Sequence, residues 1–467
     1  MKQIIAKLVA ILLIVLILPI HFSFAQSNDK TYIRVGLAFG SGAVSSCTVR
    51  SDDGLMIIRV VSGGFEEILS LPDDKQLNVT IESGNIVARE SSGGIVYDEF
   101  DNDTVIAPLS FADGGVIRYN DRPYRGGVCF FPAGSGRMNV INYIELEHYI
   151  YGVLNAEMGH HNPMEALKAQ AVTARSYAVA NPDRHRNDGF NLCTGVHCQV
   201  YRGYSDEFAQ TNRAADETAG LVLTYDGEPV SGHYFKNSGG HTQSSVDVWG
   251  GARTYLTGVK DEYSPDYPWT YQVTFQVLSS RLQEAGHNVG NVQSVAIKER
   301  NSSGAASVIE IRGTSGTAEL RRDRVRTVLG STNVRSMMFS FGGSVSAPES
   351  GTVSYQPVLS SGSIDRSAGG NDTVHIIGAD GKIEQSKVDN LYVFSDGISV
   401  QLGKELAHNQ GRLDIVTSSP LIIHGTGYGH GVGMPQDSAI VMAGQGYTFE
   451  QILKYFYTEI TIQTADY

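Results

Sequence analysis

Between residues 30 and about 140 the chain alternates apolar and polar positions in short runs. TYIRVGLAF, LMIIRVV, QLNVTI, GNIVARE, GVIRYND and MNVINYI are separated by clusters of Gly, Asp, Asn and Ser. A two-residue period bounded by turn formers predicts strands, here a meander of them. At Glu145 the period changes. Leu146, Ile150, Val153 and Leu154 recur at three- and four-residue spacing, the stripe of an amphipathic helix. Four positions beyond Val153, Glu157 falls on the same stripe. Asn162-Pro163 stops this helix, because the residue before a proline avoids the α region. A second helix is expected to start at once, with Asn162 as N-cap, Pro163 at the first helical position and Glu165 completing a capping box. Its face of Ala166, Ala169, Ala171, Ala174 and Ala178 is small, so another element can pack closely.

Strand patterns return in GLVLTYDGEPVSGHYF, where Asp226-Gly227 is a hairpin signal. VQSVAIKER and ASVIEIRG predict a second hairpin. The segment GGSVSAPESGTVSYQPVLSSGSIDRSAGGND reads as a Gly/Ser linker, and the strand pairs TVHIIGADGKIEQ and NLYVFSDGISVQL follow it. TFEQILKYFY predicts a short amphipathic helix. The expected fold class is α+β: a strand-rich mixed fold with a short helical pair and an inserted β-rich module. Its expected parts are a signal peptide or membrane anchor (1–25), an N-terminal strand-rich part (30–140), a core (141–342), a linker with the β-rich module (343–420), and a Gly-rich motif and helix that complete the core (421–467).

Composition narrows the class. A chain of 467 residues predicts two or three units. A formal net charge of −13 and the lack of any Lys/Arg run argue against nucleic acid. The opening MKQIIAKLVAILLIVLILPIHFSFAQ has Lys2 and Lys7, an apolar run, Pro19 and then Ser23-Phe24-Ala25, the order of a secretory signal. An uncleaved anchor is the alternative, since the run is near the lower limit for spanning. Export to the cell wall or the outer face of the membrane is expected, with membrane contact through this segment only. Of the four cysteines, Cys47 and Cys129 either pair or stay as buried thiols, and an exported chain permits both.

Two places carry candidate chemistry. Glu157 is expected on the inward face of a helix, near its C-terminus, where desolvation and the negative end of the helix dipole both disfavour the charged form. A carboxylic acid kept protonated near neutral pH suits general-acid work on an ether oxygen. The plain alternative is a glutamate paired with Lys168 or Arg175, or solvated at a frayed end. In CTGVHC, Cys193 and Cys198 flank His197, with His185 upstream. Two thiolates plus imidazole suit tetrahedral zinc; a small disulfide or free thiols are the alternatives. His197 and Cys198 can hold one ion only if the segment is a loop, since neighbours on a strand face opposite ways. The role expected of such a clip is structural, holding a strand that starts at Gln199.

Four blocks resemble one family. YIELEHYIYGVLNAEMGHHNPMEALKAQAVTARSYAVA, CTGVHCQVYRG, HYFKNSGGHTQSSVDVWGG…YLTGVKD and GTGYGHGVGMPQDSAIVMAGQGYTFEQILKYFY are similar, in order and type, to the signature blocks of the SpoIID/LytB family. Together they cover about 120 to 342 and 421 to 467. The resemblance implies a peptidoglycan lytic transglycosylase acting in sporulation or wall remodelling. Such an enzyme cleaves between N-acetylmuramic acid and N-acetylglucosamine and leaves a 1,6-anhydro end. It implies Glu157, in the family's E-M motif, as the catalytic residue, and zinc at the CTGVHC segment in some members. Arg175, Gln199, Tyr201 and Ser238 carry hydrogen-bonding groups inside matching motifs and are candidates for holding glycan, as is His430; core packing or turn structure is the alternative for each. Trp249 and Tyr255 could stack on sugars or pack internally. One departure is Pro435-Gln436-Asp437-Ser438, where the family has Ser-Gln-x-Gly. The implied partners are glycan strands and a cell-wall amidase. A non-catalytic amidase modulator and a wall-binding protein remain as other readings.

Overall fold

The computed structural model describes residues 30–72, 76–342 and 415–464, together with the backbone of four strands between 373 and 402. The expected signal segment lies outside the described residues. No helix among the described residues is long and apolar enough to cross a membrane.

The N-terminal strands form two sheets rather than one meander. A seven-stranded sheet runs in the order Leu192–Cys193, Tyr32–Ala38, Arg137–Glu145, Gly127–Gly134, Thr104–Pro108, Leu55–Val61, Gly64–Leu71. A six-stranded sheet contains Arg122–Arg125, Val116–Tyr119, Ser46–Arg50, Gln76–Glu82, Asn85–Arg89 and Ile95–Tyr97. Local alternation marks the strands, but partner choice depends on which faces must be covered. Arg137–Glu145 shows why. Met138, Val140 and Ile144 enter one core and Ile141 and Tyr143 the other, so both faces of this strand are buried. Cys47 and Cys129 sit in different cores, both as free thiols, which settles the pairing question against a disulfide. Burial alone pushes Cys47 up to about 12, and burial is the first cause that raises Cys129 to about 11.

The strand Arg137–Glu145 runs straight into helix α1 (Leu146–Met158), whose buried stripe is Leu146, Tyr149, Ile150, Val153 and Leu154. Gly159, at φ +84, ends it. Helix α2 (Met164–Ala180) follows, but the expected capping box is not formed. Asn162 turns backward instead: its Nδ2 donates to the carbonyls of Met158 at 2.5 Å and Gly159 at 3.3 Å, serving the orphan acceptors at the end of α1. Glu165 accepts from Lys168 Nζ at 3.0 Å and from the Phe449 amide at 2.8 Å. α2 is buried all round rather than on one face, from Ala166 to Ala178. Its small residues let α1, the helices Ala209–Asp216, Gln436–Gly444 and Phe449–Phe456, and the strand Leu221–Tyr225 all approach. Thr173 Oγ1 donates to the Ala169 carbonyl at 2.7 Å and Ser176 Oγ to that of Val172 at 2.6 Å, whereas the buried Gln170 Nε2 finds no partner among the described residues.

The hairpin at Asp226-Gly227 forms with both residues at positive φ, 52° and 85°. The chain divides into two compact units. One comprises 1–268, 302–305 and 426–467, the other 269–301 and 306–425. The unit boundary therefore falls at Pro268, well before the Gly/Ser-rich stretch at 343. The physical reason is pairing. The hairpin Val292–Arg300 and Ala306–Gly313 builds its own sheet with Gly316–Arg321 and Ile415–Val416. In the expected inserted module, Thr373–Ile377 pairs with Ile383–Lys387, and Leu391–Ser395 with Ile398–Leu402.

Candidate active site and metal centre

Glu157 is the penultimate residue of α1 and is half-buried. Its Oε1 accepts from the Val200 amide at 2.7 Å, and the Tyr234 hydroxyl donates to the same carboxyl. No ion pair reaches Glu157 among the described residues. Lys168 pairs instead with Glu165 at 3.0 Å and Glu217 at 2.7 Å, and Arg175 with Glu147 at 2.6 Å. Burial raises the Glu157 carboxyl above the ordinary carboxylate range, and the Val200 amide, the Tyr234 hydroxyl and the charge of Arg202 pull in the other direction without cancelling it.

A chain of buried polar groups fixes Tyr234. Tyr149 Oη donates to Gln199 Oε1 at 3.1 Å, and Gln199 Nε2 donates to Tyr234 Oη at 3.2 Å and to the Ala174 carbonyl at 3.3 Å. The Tyr234 oxygen is thereby an acceptor for Gln199, and its own proton goes to Glu157. Burial, then the neighbouring Glu157, raises the Tyr234 phenol far above its ordinary value, so it stays a donor. At the opposite end of the carboxylate's residue, Gln436 Nε2 donates to the Glu157 backbone carbonyl at 3.0 Å and holds the last turn of α1.

The Gly-rich segment packs against this strand. Tyr234–Phe235 pairs in parallel with Met434–Pro435. Gly433 sits at φ +83, where a Cβ would lie 2.0 Å from the His233 carbonyl oxygen, so only glycine permits the approach. His430 Nδ1 accepts from the Val432 amide at 3.1 Å, which braces the loop, and the ring also packs against Trp249 at 5.4 Å and Phe235 at 5.4 Å. The residues at the sequence departure all find partners. Asp437 pairs with Lys236 Nζ at 2.6 Å, and Ser438 Oγ donates to Asp261 Oδ2 at 2.6 Å.

Three of the expected glycan contacts, Arg175, Tyr201 and Ser238, have their polar groups engaged inside the protein. Arg175 has a fully buried side chain, forked onto Glu147 at 2.8 and 2.6 Å and bonded to the carbonyls of Leu221 and Ala215. It ties helices together and presents no donor to a cleft. Tyr201 is buried, with its hydroxyl on Asn142 Oδ1 at 2.8 Å. Ser238 is buried and donates to Asp261 Oδ2 at 2.5 Å. In each case the polar group serves a partner inside the protein. Gln199 is buried but lies one residue removed from Glu157 in the hydrogen-bond chain. Tyr255 is buried, whereas Trp249 is not. Tyr234, Tyr149, His233 and Gln436 were not singled out from sequence; the only available signal was their place inside the matching blocks.

His185, Cys193, His197 and Cys198 converge, with their ligand atoms all within 4.8 Å of one another. His185 Nε2 lies 3.2 Å from His197 Nδ1, and that nitrogen lies 3.8 Å from Cys193 Sγ and 3.6 Å from Cys198 Sγ. A tetrahedron with metal bonds of about 2.0–2.3 Å has edges of roughly 3.3–3.8 Å. Asp188 Oδ2 lies 3.2 Å from His185 Nδ1 and orients the ring so that Nε2 faces the cluster, as carboxylates do for metal-ligating histidines. Both thiols are free. The segment carrying His197 and Cys198 is a loop, which lets neighbouring residues face one point. The strand expected from Gln199 does not form. The stretch after Cys198 runs without a ladder, and its amides go to the site: Val200 to Glu157, and Arg202 to the Gly152 carbonyl at 3.1 Å.

These features define a class: an α+β protein with one protonatable carboxyl at a helix end, held by neutral donors beside a Cys₂His₂ cluster. Residues 134–225, which contain Glu157 and all four cluster residues, match the family model SpoIID, described as stage II sporulation protein. Residues 250–352 match a domain of unknown function, DUF8618. The chain is 25% identical over 404 residues to the amidase enhancer of Bacillus subtilis strain 168, covering 86% of this chain and 52% of that relative, about half its length. It is 25% identical over 346 residues to stage II sporulation protein D of Bacillus amyloliquefaciens, covering 70% of this chain and 76% of the relative. To the B. subtilis protein of the same name it is 30% identical over 160 residues, 30% of this chain and 47% of the relative.

Proposed function

We propose that this chain is an exported cell-wall protein that cleaves peptidoglycan glycan strands as a lytic transglycosylase. The observation that carries the reading is the setting of Glu157. Its carboxyl is raised by burial, and the groups acting on it are an amide, a phenol and a guanidinium, with no carboxylate among them. Hydrolytic glycosidases ordinarily pair two carboxyl groups, one as acid and one as base or nucleophile. A single carboxyl suffices when the attacking group belongs to the substrate. Protonated Glu157 gives its proton to the glycosidic oxygen as the bond between N-acetylmuramic acid and N-acetylglucosamine breaks. The resulting carboxylate takes the proton of the muramic 6-hydroxyl as that oxygen closes on the anomeric carbon. The product is a 1,6-anhydro end, no water is consumed, and the proton count balances.

His185, Cys193, His197 and Cys198 would hold a structural zinc ion, which closes the loop before Gln199 and so fixes the Val200 amide on Glu157. The deciding experiment incubates the protein with peptide-free glycan strands and looks for anhydro ends by mass spectrometry, with Glu157→Gln as control. A second reading, a non-catalytic modulator of a cell-wall amidase, is favoured by the name of the amidase enhancer relative. It predicts no anhydro ends and a stimulated amidase when the two proteins are mixed.

A further inference from the structure

Trp249 closes the short helix Ser245–Trp249, which is fixed at its start by Ser244 Oγ accepting from the Asp247 amide at 3.2 Å and ended by Gly250 in the left-handed region. Its ring packs on His233 at 4.6 Å and on His430 at 5.4 Å, yet the residue is 41% exposed. Burial, with the nearby His430 and arginines, pushes the His233 imidazole down to about 3, so a neutral ring backs the indole at ordinary pH. The indole is thus held rigid from beneath and wet above.

Its location gives it a use. His233, which supports the indole, directly precedes Tyr234, whose hydroxyl donates to Glu157. Phe235, the next residue, packs on His430. His233 stands immediately before the strand Tyr234–Phe235, so the support of the indole and the donor to the carboxyl are consecutive residues. An aromatic face offers the C–H-rich face of a pyranose a large contact at small conformational cost. Nothing in the fold requires a tryptophan to be left exposed there. Tyr255, by contrast, is buried.

We infer that Trp249 is a stacking subsite for a pyranose ring of the glycan strand, adjoining the bond at Glu157; the identity of the ligand rests on the reading proposed above. The chain has two tryptophans, and the other, Trp269, is 6% exposed. Trp249 can therefore report its own occupancy. In the full chain carrying Glu157→Gln and Trp269→Phe, titration with peptide-free glycan strands should shift Trp249 emission to shorter wavelength, saturably, and protect it from iodide. If Trp269→Phe does not fold, iodide quenching of the Glu157→Gln protein gives the same reading, since iodide reaches the exposed indole. Trp249→Ala should keep its circular dichroism and melt, weaken glycan binding by roughly tenfold, and raise KM with little change in kcat; Trp249→Phe should restore most of the binding. Anhydro ends without any change at Trp249, or an alanine variant that binds like the parent, would overturn the subsite and leave the transglycosylase reading intact. A saturable Trp249 response without anhydro ends from the Glu157-containing protein would uphold the subsite and reject the cleavage reading. No binding to glycan by any readout would reject both.

Discussion

The proton affinity of the Glu157 carboxyl is set by its surroundings, and each neighbour has a separable effect. Glu157→Gln keeps the size and the acceptor for Val200 but has no proton to give, so turnover should fall by about 10²–10⁴-fold while glycan pull-down persists. The raised carboxyl pKa also sets a sign for stability. The folded protein holds the proton more tightly than the unfolded chain, so stability declines as pH rises from the ordinary glutamate range to the raised value. Glu157→Gln removes that decline, and at pH 8 the variant should melt at or above the parent's temperature in a calorimetric scan. For Tyr234→Phe the expectation runs through the same carboxyl. Losing the phenol's donation lifts the pKa further, so the falling, high-pH limb of the pH–rate profile should move to higher pH. The variant also leaves the buried Gln199 Nε2 short of an acceptor, at a cost of roughly 1–3 kcal/mol.

At the level of elements, two devices hold α1, α2 and the stretch after Cys198 in register. The first is Arg175 on Glu147, which joins the helices to the segments at Ala215 and Leu221. Arg175→Ala should cost about 3–5 kcal/mol, because Glu147 is left as an unpaired and partly buried charge. Denaturant melts should record this loss, and any drop in turnover should track the folded fraction. The second, on the reading proposed above, is a zinc clip at the Cys₂His₂ cluster. Protein purified without chelator should contain one zinc per chain, and Cys198→Ser should lose it. Hydrogen exchange should then quicken at the Val200 and Arg202 amides, which the clip would hold on Glu157 and Gly152. Absence of metal together with a Cys193–Cys198 disulfide would reject the clip.

For the whole molecule, the relevant boundary is that of the pairing and not of composition. Each of the two hairpins within 373–402 pairs only within itself among the described residues, whereas Ile415–Val416 adds a strand to Val292–Arg300. Removing about 345 to 413 with a short bridge should therefore leave a cooperative melt and unchanged turnover on glycan strands. Extending the cut through Val416 should lower the melt, because it takes a strand from the four-stranded sheet.

Local chemistry determined much of this protein. Three- and four-residue spacing placed α1 and put Glu157 at its end, Asp226-Gly227 made a hairpin because both residues tolerate positive φ, and Thr448 with Gln451 capped the last helix. Two cysteines and two histidines in close sequence were enough to nominate one cluster. What tertiary structure decided were the partners. Arg175, Tyr201 and Ser238 carry the same polar groups whether they face sugar or core, and only packing shows that Glu147, Asn142 and Asp261 already occupy them. Likewise Tyr234 and Gln436 reach Glu157 from 77 and 279 positions further along the chain. A hydrogen bond between such distant residues depends on the fold that brings them together, and no periodicity in the sequence encodes it.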